Sequence, residues 1–118
     1  MKNCRILRCC LQIGMIAFVV LGLCSAGCAE SVSVKYRGEV DLRPFDCKNL
    51  TRSGFIDRVC YDRRNEYMLI SLNGTYYHYC EIDASTVSSL LDAPSMGHFY
   101  NANIKGQFDC RVHRVPAY

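Results

Sequence analysis

Tyr67-Met68-Leu69-Ile70-Ser71-Leu72-Asn73-Gly74-Thr75-Tyr76-Tyr77-His78-Tyr79-Cys80 is the stretch that decides the fold. Two runs of aromatic and aliphatic residues flank Asn73-Gly74, a dipeptide that tolerates the positive φ angles a tight hairpin needs at its tip. Residues 67–72 and 75–82 are therefore expected as antiparallel neighbours. A two-residue loop would set Ile70 opposite Tyr77, whereas a three-residue loop with a bulge would set Ser71 there, and that slip swaps the faces.

Working outward, residues 55–61 read as a preceding strand, joined through the turn Asp62-Arg63-Arg64-Asn65. After Ile82 the pattern changes to a helix over residues 84–91, with Asp83 as its cap, Val87, Leu90 and Leu91 on one face, and Pro94 beyond its end. Residues 95–101 are expected as a turn or a short second helix with Ser95 as its cap, and residues 104–111 as an extended return segment offering a fourth strand. The fold class is thus α+β: a small antiparallel sheet of three to four strands packed against one main helix, preceded by a signal peptide.

The first 29 residues have the order of a secretory leader: cations at Lys2, Arg5 and Arg8, an uncharged apolar run over residues 11–23, and small residues at Ser25, Ala26, Gly27 and Ala29. Cleavage after Ala29 is the expectation; lipidation at Cys28 and an uncleaved membrane anchor are the alternatives. The organisation that follows is a leader over residues 1–29, an extended arm over residues 30–52, a folded domain over residues 53–109 and a basic tail over residues 110–118. Of the 14 Lys and Arg residues the leader holds three, so the remainder balances 11 cations against 11 acidic residues. That balance argues against nucleic acid as the main ligand, because phosphate neutralisation normally leaves a basic footprint.

The remainder also keeps four cysteines, Cys47, Cys60, Cys80 and Cys110, an even set that reads as a disulfide framework in a small exported domain. In a three-strand meander Cys60 and Cys80 lie two strand spacings apart, on the order of 9 to 10 Å, beyond disulfide reach. Two pairings survive, and Cys47 with Cys60 and Cys80 with Cys110 is preferred, since the arm can lie along the first strand and the return segment beside the third. A Cys2His2 metal centre from His78, Cys80, Cys110 and His113 is the competing use of the same residues. Oxidised thiols make disulfides the expectation, with no metal and no cofactor.

The elements from Ser53 to Phe108 resemble the KTSC domain, a family named for a C-terminal appendage of some lysyl-tRNA synthetases. The shared features are Ser53, Val59-Cys60-Tyr61-Asp62, Gly74, Tyr77-His78-Tyr79, then Leu91, Ser95, Gly97, Phe99, Tyr100 and Asn101, and finally Ile104-Lys105. Asp83 departs from the family pattern, which often has Pro after the third strand, and the export signal and four cysteines are additions. The resemblance implies no reaction, and only its attachment to a synthetase suggests RNA.

Tyr76, Tyr77, His78 and Tyr79 are the candidate ligand-binding residues. The alternating pair Tyr77 and Tyr79 is expected to pack beneath the helix, leaving Tyr76 and His78 to face outward. Ser95, His98 and Asp92 are close in sequence but lack the strand-to-helix elbow of a nucleophile, so no catalytic residue is assigned and an enzyme is not expected. The reading is a non-catalytic binding or interaction module, periplasmic or secreted, for an envelope or extracellular protein or ligand. Nucleic-acid binding through the Tyr-rich strand is the alternative and a small hydrolase the third. A membrane is reached only through an uncleaved leader or a lipidated Cys28.

Overall fold

A computed structural model of the chain describes residues 4–6 and 28–118. Apart from Cys4–Ile6 and the start of the next strand, the expected leader lies outside the described residues. The elements are β1 (Cys4–Ile6), β2 (Cys28–Val34), β3 (Gly38–Asp41), β4 (Asp46–Asn49), β5 (Ile56–Asp62), β6 (Tyr67–Leu72), β7 (Thr75–Cys80), α1 (Ala84–Asp92) and α2 (Met96–Asn103). The strands form one mixed, curled sheet in the order β1-β2-β7-β6-β5-β4, with β3 paired on β2.

At its centre is the expected meander. Asn73 and Gly74 take φ angles of 50° and 87°, the turn has two residues, and Ile70 lies opposite Tyr77. Alternation then sorts the side chains. Ile56, Val59, Met68 and Ile70 face α1 and α2, where Ile82, Val87, Leu90, Met96, Tyr100 and Ile104 complete a core. Both helices begin at the expected caps: the Asp83 carboxylate accepts the Thr86 N–H, and the Ser95 hydroxyl accepts the His98 N–H. Hydrogen bonds from the Ser85 and Thr86 side chains hold the Asp83 pKa down to about 2. Asp83→Ala is expected to cost about 1 kcal/mol, read as a lower denaturation midpoint at unchanged slope.

The sheet is larger than the sequence reading expects. Residues 30–52 supply β3, β4 and most of β2 instead of an extended arm. Val32 and Val34 of β2 and Val40 of β3, with Leu42 just beyond, fold over the second face of the meander against Cys60, Tyr67, Leu69 and Cys80, making a second core. β2 meets the β7 edge in parallel through one residue pair, Val34 with Tyr76, and the Lys35 N–H donates to the Tyr76 carbonyl at 2.9 Å. Arg58 ties the curl across, with Nη1 and Nη2 donating to Glu30 at 2.8 and 3.2 Å.

The extended return segment does not form a strand. After Asn103 the chain turns, with Gly106 and Phe108 at φ 83° and 56°, and its backbone meets β7 where the Cys80 N–H donates to the Phe108 carbonyl at 2.9 Å. Both preferred disulfides are present. Cys47–Cys60 staples paired residues of β4 and β5, and Cys80–Cys110 fastens the C-terminal segment to β7, with Cα separations of 3.9 and 4.9 Å. Two disulfides suit an oxidising compartment. No helix among the described residues is long and apolar enough to cross a membrane.

Candidate functional site

β2 pairs with only one residue of β7, which leaves part of that strand's outer edge without a strand partner. In the β6–β7 ladder the residues alternate, so Tyr76, His78 and Cys80 turn their backbone groups away from β6. Tyr76 is taken by β2 and Cys80 by Phe108. The N–H and C=O of His78, between them, meet no backbone partner among the described residues.

Over this gap lies a groove of about 770 Å³. Tyr36 and Arg37 at the β2–β3 tip form one wall, the segment from Gly106 to Arg111 with Val115 forms the other, and Tyr77, His78 and Tyr79 line the floor. Tyr36 is 85% exposed and Val115 42%, so the rim carries apolar surface. Lys35 Nζ lies 5.4 Å from the Tyr36 ring centre and 6.0 Å from that of Tyr77, which places a cation beside this aromatic pair. Asp109 is paired with Arg111 at 2.7 Å, and that guanidinium holds the carboxyl down to about 2.

The four candidate residues divide by face. Tyr77 and Tyr79 pack on the helix-side core as expected, and the Tyr79 hydroxyl hydrogen-bonds that of Tyr100 at 2.5 Å. Tyr76 and His78, expected to face outward, are half-buried on the other face of the sheet. Tyr76 packs on the second core, where its hydroxyl accepts from Arg58 Nη1 at 3.3 Å. The His78 Nδ1 meets the Tyr67 hydroxyl at 2.8 Å. Burial first, and the nearby Arg37 second, lower the His78 pKa, so the neutral imidazole is favoured; Asp109 opposes them. What the sequence brings together at His78 is therefore a groove floor, and what it does not signal is the pair of walls from distant segments.

A polar cluster braces the far side. Arg37 donates to the Tyr67 hydroxyl at 3.0 Å and to the Pro116 carbonyl at 2.9 Å, and its guanidinium lies over the Tyr67 and Tyr118 rings. Tyr118 donates to the buried Asp62 at 2.5 Å. Burial works to raise the Asp62 pKa, but hydrogen bonds from Tyr118, Asn65 and the Arg64 N–H outweigh it and lower it. The C-terminal residues, expected as a basic tail, are thereby docked onto the second core.

His78, Cys80 and Cys110 bring one potential ligand atom each within 4.8 Å of one another. His113 stands apart from them, with Nδ1 2.7 Å from Glu81 Oε1. The four-residue metal reading is thus corrected to a group of three whose sulfurs are joined.

Residues 52–108, which include β5, β6, β7 and both helices, match the family model of the KTSC domain. This chain carries a KTSC domain. No curated protein matches the chain. The residues that mark the KTSC pattern here have structural work. Ser53 accepts the Ile56 N–H at 3.1 Å, and Tyr61 donates to the Ile82 carbonyl at 2.7 Å. Asp62 accepts from Arg64 N, Gly74 makes the turn, Ser95 caps α2, and Tyr100 meets Tyr79. A Cβ on Gly97 would come within 2.6 Å of the Phe55 ring, so glycine is what lets α2 sit against the entry to β5. Tyr36, Arg37 and Val115 of the groove rim lie outside the KTSC match.

Proposed function

We propose that this protein is an exported, non-catalytic interaction module whose KTSC domain and flanking strands form a groove for an extended polypeptide segment. The single observation that carries the reading is the open β7 edge at His78, set in the floor of a groove with an apolar rim. A backbone N–H and C=O on a sheet edge recognise another extended chain without regard to its side chains, and Tyr36 and Val115 add apolar contact. The leader and the two disulfides support a periplasmic or secreted setting. The balanced charge and the half-buried Tyr76, Tyr77 and Tyr79 leave single-stranded nucleic acid with less support.

The test compares capture by the protein and by its Tyr36→Asn, Val115→Ser variant, each immobilised and exposed to envelope extract of the producing cells. Asn suits the Tyr36 position, where φ is 70°, and both sites are exposed, so the fold is expected to tolerate the changes. Polypeptides retained by the parent should fall at least about tenfold with the variant. Equal retention by both would overturn the groove as the binding surface.

A further inference from the structure

The groove floor carries a second chemistry. One ring nitrogen of His78 and the sulfurs of Cys80 and Cys110 lie within 4.8 Å of one another. In a tetrahedral zinc site with bonds of about 2.0 to 2.3 Å, ligand atoms stand roughly 3.5 to 3.8 Å apart. The geometry points to a redox-gated site for a thiophilic divalent cation of the zinc class, formed by His78, Cys80 and Cys110 when their disulfide is reduced.

Three features support it. The Tyr67 hydroxyl meets His78 Nδ1 at 2.8 Å, an outer bond of the kind that commonly orients an imidazole ligating through its other nitrogen. Tyr67 is in turn fixed by Arg37, at 3.0 Å, so the ring is positioned before any cation arrives. His78 and Cys110 line the groove, which gives a cation access and leaves a fourth coordination position for water.

A dithiol reductant gives two electrons and two protons to the Cys80–Cys110 bond, becoming a disulfide itself and leaving two thiols. Binding of the divalent cation releases those two protons to solvent. The oxidised protein has no thiolate here and holds no cation.

Cobalt(II) serves as the probe, because thiolate ligation gives it a charge-transfer band. The exported protein is titrated with cobalt(II), then competed with zinc(II), before and after reduction by a phosphine, which water converts to its oxide. The band should appear only after reduction, saturate at one cobalt per protein, and vanish when zinc is added. It should be absent from Cys80→Ser, Cys110→Ser protein, which retains Cys47 and Cys60. His78→Ala keeps both thiols and should bind at least about tenfold more weakly, and Tyr67→Phe about tenfold more weakly. Circular dichroism on the same samples checks that the reduced chain stays folded. A missing band, a band unchanged in the double serine variant or in His78→Ala, or unfolding on reduction would each overturn the site.

Discussion

Tyr67→Ala should lower the unfolding free energy by about 3 to 5 kcal/mol, the range for truncating a large buried aromatic. Tyr67 is fully buried at the start of β6, on the face away from the helices. Its ring centre lies 6.0 Å from that of Phe45, 5.9 Å from Tyr118 and 5.8 Å from His78, and its hydroxyl serves Arg37 and His78. Removing the side chain therefore opens a cavity and loosens the docked C-terminal residues together. Tyr67→Phe separates the two effects, since it keeps the ring and leaves two polar partners short of a bond, at a cost of about 1 to 3 kcal/mol. Urea titration measures both: the midpoints should fall in the order Phe, then Ala. A midpoint for Tyr67→Ala equal to that of the parent would mean the second core is not formed.

Loss of either disulfide should be nearly as costly. Cys47–Cys60 closes a sequence separation of 13 residues and Cys80–Cys110 one of 30, for which the chain-entropy account gives about 3 and about 3.5 kcal/mol. The two differ in what they hold. Cys47→Ala, Cys60→Ala leaves β4 and β5 joined by their backbone ladder, so unfolding should remain a single transition at lower denaturant. Cys80→Ala, Cys110→Ala frees a segment that meets β7 through a single backbone bond, so hydrogen exchange over residues 105–115 should quicken before global unfolding. Peptide mapping without reduction should yield linked fragments for these two pairs; a fragment joining Cys60 to Cys80 would contradict the meander.

Much of this was legible where local chemistry dictates conformation. Asn73-Gly74 adopts positive φ at both positions, as the type I′ two-residue hairpin requires, and that choice fixes the register of β6 on β7 and the face of each tyrosine. Asp83 and Ser95 cap because a free helix N–H needs an acceptor nearby. Residues 30–52 were hidden because β3 and β4 are four residues long and owe their conformation to pairing across the chain. The alternation of Val32 with Val34 and of Val40 with Leu42 was their only mark. Residues 104–111 misled for the opposite reason: Ile104 and Phe108 are spaced as in an extended apolar segment, yet Ile104 ends α2 and Gly106 turns the chain. The site followed the same division. Tyr76, Tyr77, His78 and Tyr79 stood out as a strand, but the half-burial of Tyr76 and His78 and the groove walls at Tyr36 and Val115 depend on segments that meet only on folding.

The most direct test of the groove as an interaction surface places a photoreactive amino acid at one position of the full-length chain in its producing cells. At Tyr36, on the rim, irradiation should give a discrete covalent adduct with another polypeptide, and the same group at exposed Ser89 of α1 should give none. Adducts of equal yield from both positions, or from Ser89 alone, would contradict the account.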